Sequence, residues 1–263
     1  RASRLGSDAD HVEDRAVGTD LHIGRTGYGK LRHLPVEDVA LHYVVVDTLR
    51  CPREEFARHG GFDASNIGFN NGDLELQEKL TRSIVDTALR IGASTVILPE
   101  CGHAYGAARW EAARWYGKSL PLRIIHMTEF LDENIASGRI RVRPIDESAT
   151  FHDPCQIVRR GGLEAAARRV LAALGLHLTE LQDHGIAGQC CGGGGGVISN
   201  QRAAPLRARW FEIKKAQVEA TGAARLVTSC GQCRITLDAG ARQAQWARRT
   251  ESLLELVADQ LVA

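Results

Sequence analysis

The sequence predicts an α/β protein of two related lobes, each a parallel sheet flanked by helices, behind an irregular N-terminal arm. Three observations lead there. Short, continuous, β-branched runs alternate with segments of helical apolar spacing, the pattern of parallel strands joined by crossover helices. "IGASTVILPECGH" (91–103) aligns without gaps on "TGAARLVTSCGQC" (221–233), an offset of 130, and such self-similarity points to an internal repeat. The 263 residues, 44% hydrophobic and 25% charged, suit a soluble chain of one large or two small domains.

Residues 1–40 are polar, rich in Gly, Asp and Arg and without periodicity, and form the expected arm. The first lobe, 41–140, opens with "LHYVVVDTL" (41–49), a buried-type strand. Leu74, Leu76, Leu80, Ile84, Ala88 and Leu89 then keep helical spacing within 72–93, and Gly92 is a natural stop. "STVILPE" (94–100) is a strand, 103–117 a helix, "LRIIHM" (122–127) a strand, and "TEFLDENIASG" (128–138) a helix closed by Gly138. The second lobe, 141–263, begins with "SATFHDPCQ" (148–156), a strand running into a loop. A helix over 162–175, a short strand over 176–181, a long helix from about 203 to 220 and a strand over 223–229 follow. "TESLLELVADQLVA" closes the chain as a helix.

Composition excludes some functions. A net charge of +1 offers no electrostatic footprint for nucleic acid. No run approaches the length of apolar residues needed to span a membrane, and no signal-peptide pattern stands at the start. The chain starts at Arg1 and holds one Met, Met127, as expected of a processed chain or a piece of a longer one. A cytoplasmic location, or one peripheral to a membrane complex, is expected.

The seven cysteines are 51, 101, 155, 190, 191, 230 and 233. An odd number argues against a pure disulfide framework. Neighbouring Cys190 and Cys191, with Cα atoms about 3.8 Å apart, are poorly placed to bridge each other. Five glycines, 192–196, follow them. In the second lobe each cysteine group follows a strand, and strand carboxyl ends in a parallel sheet converge on one ligand-binding edge. Five thiols there are one more than a tetrahedral zinc or a simple cubane cluster takes. A zinc site using four of them, an iron–sulfur cluster, a glycine-rich phosphate loop and a plain flexible loop are the readings to weigh. The phosphate loop is disfavoured because GxxxxGK[ST] is missing.

The pattern Cys155…Cys190-Cys191-Gly…Cys230-x-x-Cys233 resembles the cysteine-rich CCG domain. That domain occurs in heterodisulfide reductase catalytic subunits, in sulfite-reduction membrane complexes, and in iron–sulfur subunits of glycolate, lactate and anaerobic glycerol-3-phosphate oxidation. The resemblance is good over 148–240 and weak over 41–140, and "ECGHAYGAARW" (100–110) is most similar to the sulfite-complex branch. It implies an iron–sulfur oxidoreductase with a non-cubane [4Fe-4S] cluster on Cys155, Cys190, Cys191, Cys230 and Cys233. Gly192 and Gly193 would bring backbone amides close to that cluster with no Cβ in the way. It further implies electron exchange with a disulfide-type small molecule or protein substrate. The partners would be ferredoxin-type, flavoprotein or membrane quinone/cytochrome subunits of a multi-subunit complex. Two other roles are a relay toward quinone or a flavoprotein, and a scaffold with structural zinc. This sequence departs from the family in a slightly long Cys191–Cys230 spacing and a degenerate first-lobe motif, where the offset of 130 sets Glu100 opposite Cys230 and His103 opposite Cys233.

His152 is a candidate donor to a cluster sulfur or proton source, against a purely structural role. Glu100, Cys101 and His103 are candidates for a second metal, and Cys101 and His103 for proton transfer to substrate. Cys51 reads as an ordinary thiol, Trp110 and Trp115 as packing residues, and the Arg159–Arg160 and Arg168–Arg169 pairs as solvated helix faces.

Overall fold

The computed structural model describes residues 22–23, 43–45, 74–194 and 197–262. Among the described residues, two four-stranded sheets, all parallel, form the frame. The first has the order β1 (His22–Ile23), β2 (Tyr43–Val45), β3 (Thr95–Leu98), β4 (Arg123–His126). The second contains β5 (Ser148–His152), β6 (His177–Leu178), β7 (Arg225–Thr228) and β8 (Thr250–Ser252), in the order β6-β5-β7-β8. The α/β class with parallel sheets is therefore as the alternation predicts.

Helix α1 (Leu74–Arg90) ends before Gly92, whose φ of +69° is the left-handed stop that its sequence position predicts. One continuous helical stretch follows β3: α2 (Gly102–Gly106), a π-helical turn (Ala107–Glu111) and α3 (Ala112–Tyr116). Helix α4 (Met127–Ala136) starts at a capping box made by His126 and Glu129. It packs against α5 (Glu164–Ala173), the crossover between β5 and β6. The remaining α-helices among the described residues are α6 (Ala204–Ala220), α7 (Gly231–Gln243) and α8 (Leu253–Asp259).

The lobes share their interior. One cluster joins Ile97, Ile125, Phe130 and Leu131 of the first lobe to Phe151, Leu171, Val227 and Leu254 of the second. At roughly 1.5–3 kcal/mol for each fully buried large apolar side chain, this shared surface fixes one lobe on the other. A second cluster joins Leu98 and Tyr105 to Ile157, Phe211 and Leu237, and Cys191, Cys230 and Cys233 lie within it. The cysteines are thus part of the packed junction between the lobes.

Several expectations change. His22–Ile23, inside the expected irregular arm, is a strand. Thr250–Ser252 is strand β8, because it pairs with β7 before the last helix begins, so that helix covers only Leu253–Asp259. Helix α7, after the CxxC turn, had no sequence assignment. The far edge strand precedes its neighbour in the first sheet (β1 before β2) and follows it in the second (β6 after β5). The strand orders therefore do not reproduce the expected repeat. Its register also moves by one residue. β3 and β7 match at 130, but Cys101 and Cys230 each cap the following helix, which sets them opposite each other. Glu100 is the extra residue. Cys51 and the stretch 65–73 lie outside the described residues.

Candidate metal centre

The second sheet brings the five cysteines together by three routes. Cys155 stands in the turn after β5, held by Pro154, whose carbonyl accepts from the Ile157 and Val158 amides. Cys190 and Cys191 follow the 3₁₀ turn Gly185–Ala187. Cys230 and Cys233 occupy the N-terminus of α7. The sulfurs form one chain of contacts: Cys155 to Cys190, Cys190 to Cys191, Cys191 to Cys233, and Cys233 to Cys230. Cys191, Cys230 and Cys233 are buried, while Cys155 and Cys190 are half-buried. Among the described residues all the cysteines are free thiols.

This chain alternates in charge preference. Hydrogen bonds from the Cys155 and Cys191 thiols, with a backbone bond from Gly192, pull Cys190 down to about 2. The same contact with Cys190 pushes Cys155 far above the thiol range and Cys191 up to about 12. Cys230 is lowered by Cys233 and by the Cys233 and Gln232 backbone N–H groups, and Cys233 is raised in turn by Cys191 and Cys230. Neighbouring sulfurs cannot all ionise in so dry a place unless a cation neutralises them. The donor set therefore asks for a thiophilic metal centre.

The buried surroundings fit one. His152 is fully buried, and neither ring nitrogen has a hydrogen-bond partner. A ring nitrogen of His152 lies within 4.8 Å of the Cys191 and Cys233 sulfurs. Burial pushes its pKa down to about 3, so the ring is neutral. An orphaned, neutral imidazole against thiols is what a sulfur-bearing ligand would satisfy. Backbone N–H groups already point at sulfur: Gly192 N to Cys190 Sγ at 3.4 Å and Gly193 N to Cys191 Sγ at 3.5 Å. The two glycines are needed for close packing as well. Gly192 has φ +83°, and a Cβ on Gly193 would stand 1.9 Å from Thr236 Oγ1. The expected approach of amides to sulfur is present, but Trp210 and Thr236 cover these residues. Gly195 and Gly196 lie outside the described residues.

A cleft of about 1020 Å³ between the lobes ends on Cys155 and Cys190. Trp115, Trp210 and Leu206 line it with His103, Arg160 and Arg207, and Arg114, Glu78 and Glu111 also contribute. The π-helical turn, a feature common at functional sites, places Ala107 and Glu111 on its wall. His103 reaches the cleft and feels the Cys190 charge, and burial lowers its pKa to about 4.

Glu100, Cys101 and His103 do not form a second metal site. Consecutive residues entering a helix point in different directions. Glu100 Oε1 accepts from Ser252 Oγ at 2.5 Å, Cys101 Sγ accepts from the Ala104 amide at 3.5 Å, and His103 faces the cleft. Among the described residues, the one His/Cys/Asp/Glu group with donor atoms close enough for a single ion is His152, Cys191 and Cys233.

The supports of the site carry no motif in the sequence. Asp153, beside His152, is 3% exposed. It takes Arg168 bidentately at 2.8 and 3.0 Å and accepts from the Gly185 amide at 2.6 Å. Arg159 donates to the Ile186 and Gly188 carbonyls, both at 2.7 Å. Arg168, expected to be solvated, is half-buried, and Arg159, exposed as expected, still ties down the cysteine loop. Trp110 is 42% exposed and stacks edge-on against Tyr105, whereas Trp115 packs partly into the core beside the cleft.

Residues 149–238, which hold all five cysteines, match the family described as a cysteine-rich domain, CCG. The chain therefore carries a CCG domain over those residues. The chain is similar to several curated proteins. A probable membrane-anchored ferredoxin of Chromohalobacter salexigens is 30% identical over 74% of this chain and 29% of its own length. A component of the dihydromethanophenazine:CoB–CoM heterodisulfide reductase of Methanosarcina barkeri is 31% identical over 71% of this chain and 46% of its own. The EtfAB:quinone oxidoreductase of Syntrophomonas wolfei is 25% identical over 90% of this chain and 32% of its own. The chain spans less than half the length of each. Among the described residues no helix is long and apolar enough to cross a membrane.

Proposed function

We propose that this CCG-domain chain is an iron–sulfur oxidoreductase subunit that exchanges electrons with a disulfide-type substrate inside a larger redox complex. The observation that carries this reading is the unbroken chain of five cysteine sulfurs, two of which floor an open cleft. Cys155, Cys190, Cys191, Cys230 and Cys233 would hold a non-cubane [4Fe-4S] cluster. When bound, the cluster supplies one-electron chemistry that a redox-inert zinc does not. His152 offers a neutral imidazole N–H to sulfur from the buried side. In the cleft, Arg114, Arg160 and Arg207 make no ion pair with a carboxylate among the described residues. They favour an anionic substrate and orient it, while Trp115 and Trp210 exclude water. His103, beside Cys190, holds or passes a proton at a ring nitrogen for a thiolate leaving a disulfide.

The relatives named as an EtfAB:quinone oxidoreductase and a membrane-anchored ferredoxin favour one second reading, a relay that passes electrons between protein partners. The test is anaerobic reconstitution followed by iron and labile-sulfide analysis, then addition of a disulfide to the reduced protein under paramagnetic resonance. Iron with sulfide and a new odd-electron signal on disulfide addition support the reductase. Iron without that signal leaves the relay. A colourless protein with one zinc sinks both.

A further inference from the structure

Helix α6 buries Phe211, Lys214, Gln217 and Val218 on its inner face. Lys214 is 2% exposed, although its neighbour Lys215 reaches solvent. Burying an ammonium is costly unless anions compensate it. The two nearby carboxylates are already engaged. Asp153 is held by Arg168 and the Gly185 amide, and Asp183 accepts from Gln217 Nε2 at 2.6 Å. Among the described residues neither comes within ion-pair distance of Lys214. Phe211, one turn earlier on the same buried face, packs in one cluster with Cys191 and Cys233, and the other negative groups that act on Lys214 are the sulfurs of those two cysteines, while its own charge acts on His152.

We infer that Lys214 is a built-in counter-charge for the sulfur site that raises the reduction potential of the centre held there. This rests on the iron–sulfur reading above. Lys214 is a positioning residue: it acts through Cys191 and Cys233, remote from substrate. Net charge and nearby dipoles set the potential of a thiolate-held centre. In the dry junction between the lobes a unit charge is felt strongly. A fixed cation stabilises the reduced form, which carries one more negative charge, over the oxidised one.

The experiment is a redox titration, monitored by paramagnetic resonance, of the reconstituted full chain and of Lys214→Met, Lys214→Gln and Lys214→Arg. The neutral variants are expected to shift the reduction equilibrium toward the oxidised form by at least tenfold, about 59 mV for a one-electron couple. Lys214→Arg, which keeps the charge, is expected to stay near the parent. An unchanged potential in the neutral variants overturns the inference, and so does an equal drop in Lys214→Arg. Where a neutral variant fails to fold, Asp183→Asn takes its place. It keeps Lys214 while removing a carboxylate beside it, so the potential is expected to rise, and no change there also overturns the proposal. A parent chain that binds no iron would defeat the iron–sulfur reading itself, a result distinct from a parent that binds iron and variants that do not shift it.

Discussion

The turn after β3 and the turn after β7 share a backbone but do different jobs. Cys101 caps α2 with φ −126° and ψ 100°, and Cys230 caps α7 with φ −134° and ψ 119°. A glycine follows each cap, but the close approach between the lobes requires only the first: a Cβ on Gly102 would stand 2.6 Å from the Gln156 Cβ, whereas one on Gly231 would meet nothing nearer than 3.8 Å. Three residues after each cap the two turns part. The first has Ala104, whose amide donates to Cys101 Sγ, and the second has Cys233, whose sulfur joins the chain of thiols. The first turn also carries the extra residue Glu100. Its carbonyl accepts from the Gly231 amide at 2.9 Å, and its carboxylate reaches Ser252 and Arg234. A strand-to-helix turn with a cysteine cap is thus one piece of architecture with two uses. It joins the chain of sulfurs, as a ligand on the proposed reading, where a second thiol and the Cys190–Cys191 loop meet it, and is a lobe-to-lobe fastener where they do not.

The largest expected effect separates these uses outright. Cys190→Ser and Cys191→Ser each remove a central link of the sulfur chain, and both are expected to lose most of the bound iron. Cys101→Ser is expected to keep it, because a serine hydroxyl serves equally as a helix cap. Iron and sulfide analysis of purified protein checks this. Full iron in Cys190→Ser, or iron lost in Cys101→Ser, would break the division between ligand turn and fastener turn.

Glu100→Gln comes next. A buried hydrogen bond to a charged group contributes roughly 1.5–3 kcal/mol, so unfolding by denaturant is expected to shift by about that amount. Glu100 also raises the pKa of Cys230 through its charge. Removing that negative charge should move the centre's potential upward while iron content stays intact. A variant as stable as the parent would mean that the lobes are held by the shared core alone.

Much of this division is legible in the sequence, and its limits are physical. The buried strands, their helices and the glycine stops at 92, 138 and 175 follow local rules, and all three glycines have positive φ. That the five cysteines meet follows from the place of each group after a strand, and their reading as one ligand set comes from the resemblance. β8 was missed because "TES" is too short and polar to read as a strand, and only its pairing with β7 makes it one. The one-residue register error at Glu100 arises because a gapless alignment cannot represent an inserted residue whose side chain crosses to the other lobe. Asp153, Arg159, Arg168, Trp210 and Lys214 carry no motif. Their importance comes from contacts 15 to 34 residues away in the chain or more, as in Asp153 with Arg168 and Gln217 with Asp183.

Gly193→Ala tests whether the glycine loop is required by packing. The added methyl meets Thr236 Oγ1, and overpacking of this kind typically costs about 1–3 kcal/mol. Gly194→Ala, with 3.4 Å to the His103 ring, is the control and should be nearly silent. Equal effects in the two, measured by denaturation, would point to loop flexibility in place of packing.

The smallest expected effect concerns Trp210, which lines the cleft beside Cys190. Its indole N–H donates to the Cys190 carbonyl at 2.7 Å while its ring covers Gly192. Trp210→Phe keeps most of the cover and removes the donor, at a cost of about 1 kcal/mol. If the hydrogen bond orients the Cys190 loop, the variant should retain its iron yet show a broadened paramagnetic signal, because Cys190 at the cleft floor gains freedom while the buried sulfurs do not. Trp210→Ala strips the cover as well, opening Cys190 to water, and should lose iron faster to a chelator. If both variants release iron at the parent's rate, the cleft side of the sulfur chain is held by Asp153, Arg159 and Arg168 without help from α6, and the ligand turn is more self-sufficient than its neighbours imply.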